Sequence, residues 1–109
     1  MAIDYTRAMA IYRTGAEAGH AGCQSQVGSM LRVGQGIDSP DYEQALVWYE
    51  KAAAQDLPVA FNDLGAMAVQ GQAQTPSFRR ARTHYQRAID LGNREANENM
   101  QQLTGLSQQ

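Results

Sequence analysis

Small and aromatic residues recur along the chain in three copies that share one register. Successive copies are 37 and 36 residues apart, and the clearest columns are Ala8, Ala45 and Ala81, and then Tyr12, Tyr49 and Tyr85. In the middle copy Tyr42, Ala45, Tyr49 and Ala52 step by three, four and three residues, the spacing of one helix face. A repeat of this length with helical periodicity predicts an array of helix pairs that bury their apolar faces against each other.

Each copy contains a long apolar stripe and a shorter stretch rich in small residues, so the pattern predicts two helices per copy. The six predicted helices span about 4–18, 22–33, 41–55, 58–70, 77–91 and 94–103. We therefore expect a single repeat domain over 1–109: a half repeat (4–18), two repeats (22–55 and 58–91) and a final half repeat (94–103). The polar residues 104–109 are expected to form a frayed tail.

The aligned columns also predict which side chains form the core. Residues on the recurring inward stripes are Tyr12, Ala45, Trp48, Tyr49, Ala52, Leu64, Gly65, Ala81 and Tyr85. Gly28 and Gly65 lie inside helical patterns, where glycine costs about 1 kcal/mol relative to alanine. We expect a close approach between two helices to offset that cost.

Three stretches resemble the Sel-one-like repeat (SLR), a branch of the tetratricopeptide-like superfamily. They are Ala45-x-x-Trp48-Tyr49-x-Lys51-Ala52-Ala53 for its long helix, Ala60-x-x-x-Leu64-Gly65 for its short helix and Gly34-x-Gly36-Ile37 for its turn. The resemblance implies an all-α fold, a right-handed α-solenoid of antiparallel helix pairs whose short helices line a concave face. It also implies protein–protein binding rather than catalysis. Asp56 and Ala73 depart from the pattern, because they stand where the family usually has glycine.

Composition narrows the class of function without naming a partner. The formal net charge is −2 and 18% of residues are charged, which does not predict binding to nucleic acid or to an anionic membrane. No run of about 18 apolar residues is present, so we expect no membrane span. The opening residues do not resemble a secretory signal, and the single Cys23 cannot form an internal disulfide. These features predict a cytoplasmic location.

No motif in the sequence predicts chemistry. His20 and His84 are far apart, and neither His-x3-His nor Cys-x2-Cys spacing occurs, so we expect no metal site. Cys23 shares a column with Ala60 and Ala96, which favours a small packing residue over an activated thiol. We therefore expect no catalytic residue, no cofactor and no enzyme activity.

Three surfaces stay open as the binding site for a protein or peptide. If the short helices line a concave face, as the resemblance implies, helical spacing places on it Ser25, Ser29, Arg32, Val33, Phe61, Asn62, Ala66, Val69, Gln70, Glu95, Glu98 and Gln102. Phe61 lies one turn before Leu64, so the spacing leaves it open between the core and the edge of the groove. The alternative basic surface consists of Arg79, Arg80, Arg82, Arg87 and Arg94. The third candidate is the two ends of the array, which could support weak self-association.

The function that these features predict is an adaptor or scaffold that binds a protein or peptide through the concave face. The alternative is a dedicated inhibitor, such as an immunity or antitoxin-type protein, that blocks a toxin or an enzyme by direct binding. Both interpretations need a second protein and neither needs an active site.

Overall fold

The computed structural model of the chain describes residues 3–107, which contain helices and turns but no strand. Within this range the helices are α1 (Tyr5–Glu17), α2 (Ala21–Val33), α3 (Tyr42–Ala53), α4 (Pro58–Gln70), α5 (Phe78–Asp90) and α6 (Glu95–Ser107). The fold is all-α and built from helical repeats, as the sequence predicts. The chain divides into two compact units, Met1–Gln55 with α1 to α3 and Asp56–Gln109 with α4 to α6.

Capping residues determine where several helices begin and end. Asp41 and Ser77 cap α3 and α5, since each side chain accepts a hydrogen bond at 3.1 Å from the backbone amide three residues later. At the other end, α2 and α4 stop at Gly34 and Gly71, whose φ angles are +90° and +70°. Glycine adopts this left-handed conformation without a Cβ clash, so it ends the helix at little cost.

The last helix is longer than the sequence predicts. α6 continues to Ser107, so residues 104–107 are helical rather than frayed, and 108–109 lie outside the described residues. Leu103 is 2% exposed and packs in the core of its unit together with Ala96. This anchor near the end of the helix explains why it extends by a further turn.

Each unit contains a close helix–helix contact between a glycine and a tyrosine. Tyr49 of α3 lies against Gly28 of α2, and Tyr85 of α5 lies against Gly65 of α4. The two tyrosines are 1% and 4% exposed. A Cβ added at Gly65 would lie 2.5 Å from Tyr85 Cε1, and one added at Gly28 would lie 3.0 Å from the Tyr49 ring. The close approach expected at these glycines is therefore present in both units.

The prediction of a core position is wrong for Tyr12. Its side chain is 36% exposed, although it shares a column with the buried Tyr49 and Tyr85. The physical reason is its place in α1: among the described residues no helix precedes α1 to present a glycine to the Tyr12 ring. The other residues predicted for the core are buried: Ala45, Trp48, Tyr49, Ala52, Leu64, Gly65, Ala81 and Tyr85.

Candidate interaction surfaces

Amide side chains of two helices meet in the second unit. Asn62 of α4 is 4% exposed, and its Oδ1 accepts a hydrogen bond from Asn99 Nδ2 of α6 at 2.8 Å. Its Nδ2 donates to Oε2 of the exposed Glu95 at 3.5 Å. Asn62 was expected to face a partner, and this placement needs correction because α6 covers its side chain. Asn99 and Glu95 are the members of the network that lie nearer to solvent.

The surface around this network is called here the α4–α6 face. Helical spacing places on it Asn62, Ala66, Val69 and Gln70 of α4, and Glu95, Glu98, Asn99 and Gln102 of α6. The two apolar side chains are half-buried, whereas the amides of Gln70 and Gln102 and the carboxylate of Glu98 are exposed. The face therefore combines a short apolar strip with fixed amides and two carboxylates.

Asn99 is missing from the predicted surface, because the aligned columns do not point to it. The column of Ser25 and Asn62 continues to Glu98, in the register that aligns Leu64 with Met100. Asn99 is the next residue after that position. Its hydrogen bond with Asn62 depends on how α6 packs against α4, which the columns do not specify.

In the first unit the predicted groove residues differ in exposure. Ser25 is 7% exposed, so its expected role as a partner contact is corrected in the same way as that of Asn62. Ser29 and Arg32 are half-buried, and Val33 is 61% exposed. The neighbouring Gln24, which no sequence argument singled out, is buried and donates through Nε2 to the Ala16 carbonyl at 3.2 Å. Burial of these polar groups leaves Val33 as the most accessible predicted residue of the unit.

Phe61 packs toward α5 and is surrounded by charged and aromatic groups. Its ring centroid lies 6.3 Å from that of His84 and 5.9 Å from the guanidinium carbon of Arg87. Arg87 Nη2 also donates to Asp56 Oδ1 at 3.0 Å. Phe61 is half-buried and packs against the apolar cluster of its unit, which includes Tyr85. Of the two places that the sequence leaves open for Phe61, these contacts favour the edge of the core.

His84 is half-buried and its ring faces Phe61 at the edge of this cluster. Burial lowers the pKa of His84 below the ordinary value of 6.5, and the positive charge of Arg80 lowers it further. The imidazole is therefore mostly uncharged at neutral pH. In the aligned column His84 occupies the position held by Trp48 in the preceding repeat.

The five arginines of the alternative basic surface are all exposed. Two of them are engaged by nearby side chains, since Arg80 Nη1 donates to Gln74 Oε1 at 2.9 Å and Arg87 bonds to Asp56. For Arg79, Arg82 and Arg94, no acceptor lies within hydrogen-bonding distance among the described residues. Arg82 and Arg87 line a shallow depression together with Thr83, Gln86 and Asp90. The arrangement is typical of a solvated helix face with one acidic residue at its end.

Neither a metal centre nor a membrane-crossing helix is found in the part of the chain that the structure describes. No three side chains among its histidines, cysteines, aspartates and glutamates cluster closely enough to hold an ion. None of its helices combines the length and the apolar character that crossing a bilayer requires.

Two solved structures have the same fold as this chain. A Sel1 repeat protein from Oxalobacter formigenes superposes with a TM-score of 0.78 at 30% sequence identity, over 87% of this chain and 38% of its own. A protective antigen present in uropathogenic Escherichia coli strains, which displays an SLR fold, superposes with a TM-score of 0.80 at 27% identity, over 85% of this chain and 20% of its own. The chain thus spans well under half the length of either protein. No curated protein shows significant sequence similarity to it.

The family model of the Sel1 repeat matches the chain in three consecutive segments, residues 2–20, 21–57 and 59–93. The segment boundaries follow the columns described above, since a new segment begins at the start of α2 and again at the start of α4. The glycine–tyrosine contacts of α2 with α3 and of α4 with α5 lie inside the second and third segments. The repeat sequence, the helix pairs and the solved neighbours agree, and the chain belongs to the Sel1 repeat family.

Proposed function

We propose that the chain is a non-catalytic interaction module that binds a protein or peptide on the α4–α6 face, in the manner of an adaptor or scaffold. Sel1 repeat proteins generally mediate protein–protein interaction, and they are typically non-catalytic. The observation that supports this particular face is the pair of hydrogen-bonded asparagines, Asn62 and Asn99, beside the exposed Glu95.

The chemistry of this face suits a polypeptide with a basic side chain. A primary amide offers both donors and an acceptor, so Asn99 can bond to a peptide main chain while its Nδ2 stays bonded to Asn62. Holding the amide in one orientation before binding reduces the conformational entropy that a complex loses. Glu95 and Glu98 add negative charge, and the half-buried Val69 can contact a small apolar side chain.

The test compares two sets of exposed substitutions. Glu95→Ala, Glu98→Ala and Gln102→Ala together alter the α4–α6 face, and Arg79→Ala, Arg82→Ala and Gln86→Ala together form a matched control on α5. The buried Ser25 and Asn62 are unsuitable for this purpose, because their substitution would disturb packing as well as binding. Circular dichroism should show that both triple variants melt near the wild type.

Affinity capture from the source cell, followed by binding measurements with the purified partner, gives the readout. We expect the α5 variant to retain the partner and the α4–α6 variant to lose at least about tenfold in affinity, which is about 1.4 kcal/mol. Retention by the α4–α6 variant with loss by the α5 variant would move the site to the basic surface, and equal retention by both would remove both faces from consideration.

Two finer points belong to the same proposal. An adaptor leaves its partner active and joins it to a third component, whereas the alternative, a dedicated inhibitor, abolishes the activity of the partner. Assaying the activity of the captured partner with and without this chain distinguishes the two.

We also propose a cytoplasmic location, because the sequence has one cysteine, Cys23. Cell fractionation tests this location directly.

A further inference from the structure

One face of α3 presents two carboxylates and an apolar side chain to solvent. Glu43, Val47 and Glu50 step by four and three residues, so they lie on one stripe, which is called here the α3 stripe. All three are exposed, Val47 by 42%. Within residues 3–107 no hydrogen bond or ion pair engages either carboxylate. The nearby Lys51 lies over the Trp48 ring instead, with its Nζ 4.6 Å from the ring centroid. The α3 stripe is therefore acidic around an apolar centre.

The equivalent face of α5 is basic and contains a shallow depression. This α5 face consists of Arg79 and the residues that line the depression, namely Arg82, Thr83, Gln86, Arg87 and Asp90. Arg79 and Thr83 lie 36 residues after Glu43 and Val47, in the same columns of the repeat. The carboxylate of the face, Asp90, already accepts a hydrogen bond from Gln86 Nε2 at 2.9 Å. The exposed charges that are left without a partner among the described residues are those of Arg79 and Arg82, so the face is positive where the α3 stripe is negative.

We propose that the α3 stripe of one molecule binds the α5 face of a second copy of this chain. Val47 enters the depression, and the carboxylates of Glu43 and Glu50 pair with arginines on either side of it. The two glutamates are seven residues apart, about 10 Å along the helix axis. Arg79 and Arg87 are eight residues apart, about 12 Å, so both carboxylates are within reach of an arginine at the same time.

The occupant is a second copy because the chain carries both of the complementary surfaces. One surface offers acceptors and the other offers donors, at matching positions of the repeat and with matching spacing. Arg87 uses Nη2 for the exposed Asp56 and keeps further N–H donors for a second carboxylate. Because two different faces meet, one contact leaves an α3 stripe and an α5 face free for further copies, and association grows with protein concentration. The α4–α6 face takes no part, so this inference is independent of the proposed function.

Charge reversal tests the contact on the complete chain. Glu43→Arg with Glu50→Arg makes the α3 stripe basic, and Arg79→Glu with Arg82→Glu makes the α5 face acidic. Each double variant should lose self-association, because like charges then meet. The chain with all four changes keeps the formal net charge of −2 and reverses both surfaces, so it should associate again. All four side chains are exposed, and circular dichroism checks that each variant is folded.

A control for overall charge is Glu17→Arg with Asp38→Arg, which changes two exposed carboxylates outside both surfaces. Its net charge equals that of the α3 double variant. Sedimentation velocity at low salt and rising protein concentration gives the readout, because exposed ion pairs are weak and are screened by salt.

We expect each double variant on the two surfaces to lower the association constant by at least about tenfold, and the control and the fourfold variant to match the wild type. A wild-type chain that stays monomeric at low salt would overturn the proposal. A fourfold variant that associates no better than the double variants would also overturn it, and so would a control that loses as much as the α3 double variant.

Discussion

The substitution Gly65→Ala has two opposing effects on the free energy of unfolding, and the structure allows us to compare their sizes. Alanine is favoured over glycine inside a helix by about 1 kcal/mol, so propensity alone predicts a more stable protein. Against this, the new Cβ would lie 2.5 Å and 2.6 Å from two carbons of the Tyr85 ring, which is 4% exposed. Overpacking of this kind typically costs about 1–3 kcal/mol, because a buried ring has little room to shift. Because both separations are shorter than real Cβ atoms show, we take the upper part of that range, about 2–3 kcal/mol. The expected net loss in the free energy of unfolding is therefore about 1–2 kcal/mol.

Urea unfolding monitored by circular dichroism measures this change, and two further glycines provide controls. A Cβ at Gly22 of α2 meets nothing within 4 Å, so Gly22→Ala should leave stability unchanged or raise it. Gly28→Ala is intermediate, because its Cβ would lie 3.0 Å from the Tyr49 ring. A Gly65→Ala protein as stable as the wild type would refute the claim that close helix contact is the reason for this glycine.

Three other predictions use the same measurements. Trp48→Ala should lower the free energy of unfolding by about 3–5 kcal/mol, since the side chain is 7% exposed. Trp48→Phe should lower it much less, because the substitution removes an indole N–H that has no acceptor among the described residues. The imidazole of His84 takes up a proton near pH 6.5 in the unfolded chain and only at lower pH in the folded chain. The free energy of unfolding should therefore fall as the pH drops below 6.5, and His84→Gln should weaken that dependence. Arg87→Ala should cost at most about 1 kcal/mol, a loss that shrinks in high salt, because the pair with Asp56 has side chains 48% and 60% exposed.

Columns that recur every 36 or 37 residues made most of the fold predictable from the sequence. A repeated Tyr49 or Tyr85 indicates both a helix face and a contact that occurs in each repeat. The same reasoning failed at Tyr12, because a column describes an average environment and no helix among the described residues covers the Tyr12 ring. Burial of a repeated residue depends on the helix that covers it, and the identity of the residue does not show whether such a helix is present.

The binding surface was less predictable, because helical spacing shows which face of a helix a residue lies on but not whether another helix covers that face. Asn62 lies on the stripe that the spacing indicates, yet α6 covers its side chain and Asn99 bonds to it. Phe61, next to it in sequence, packs toward α5 instead. One residue corresponds to about 100° of rotation around a helix, so neighbours in sequence belong to different interfaces. Only the packed helices distinguish an open groove residue from a buried one.

A departure from the family pattern gives a last prediction with opposite signs in the two units. Ala73 stands one repeat after Gly36 and has a φ of +60°, and Gly36 has a φ of +80°. The left-handed conformation costs a residue with a Cβ about 1–2 kcal/mol, and the added freedom of glycine in the unfolded chain offsets about 0.4–1 kcal/mol of that. Ala73→Gly should therefore stabilise the protein by roughly 0.5–1 kcal/mol.

Gly36→Ala should act in the other direction and by a larger amount. It introduces the same backbone strain, and its Cβ would lie 2.6 Å from the carbonyl oxygen of Tyr5, a backbone atom that cannot rotate away. Thermal melts of the two variants, measured against the wild type in one buffer, should move apart. If both midpoints fall, left-handed strain at Ala73 is not a source of instability; if both rise, the close approach of α1 to the turn at Gly36 does not constrain that residue. Opposite shifts would mean that the family glycine is required where another segment lies against the turn, and that in the second unit the turn tolerates alanine at a measurable loss of stability.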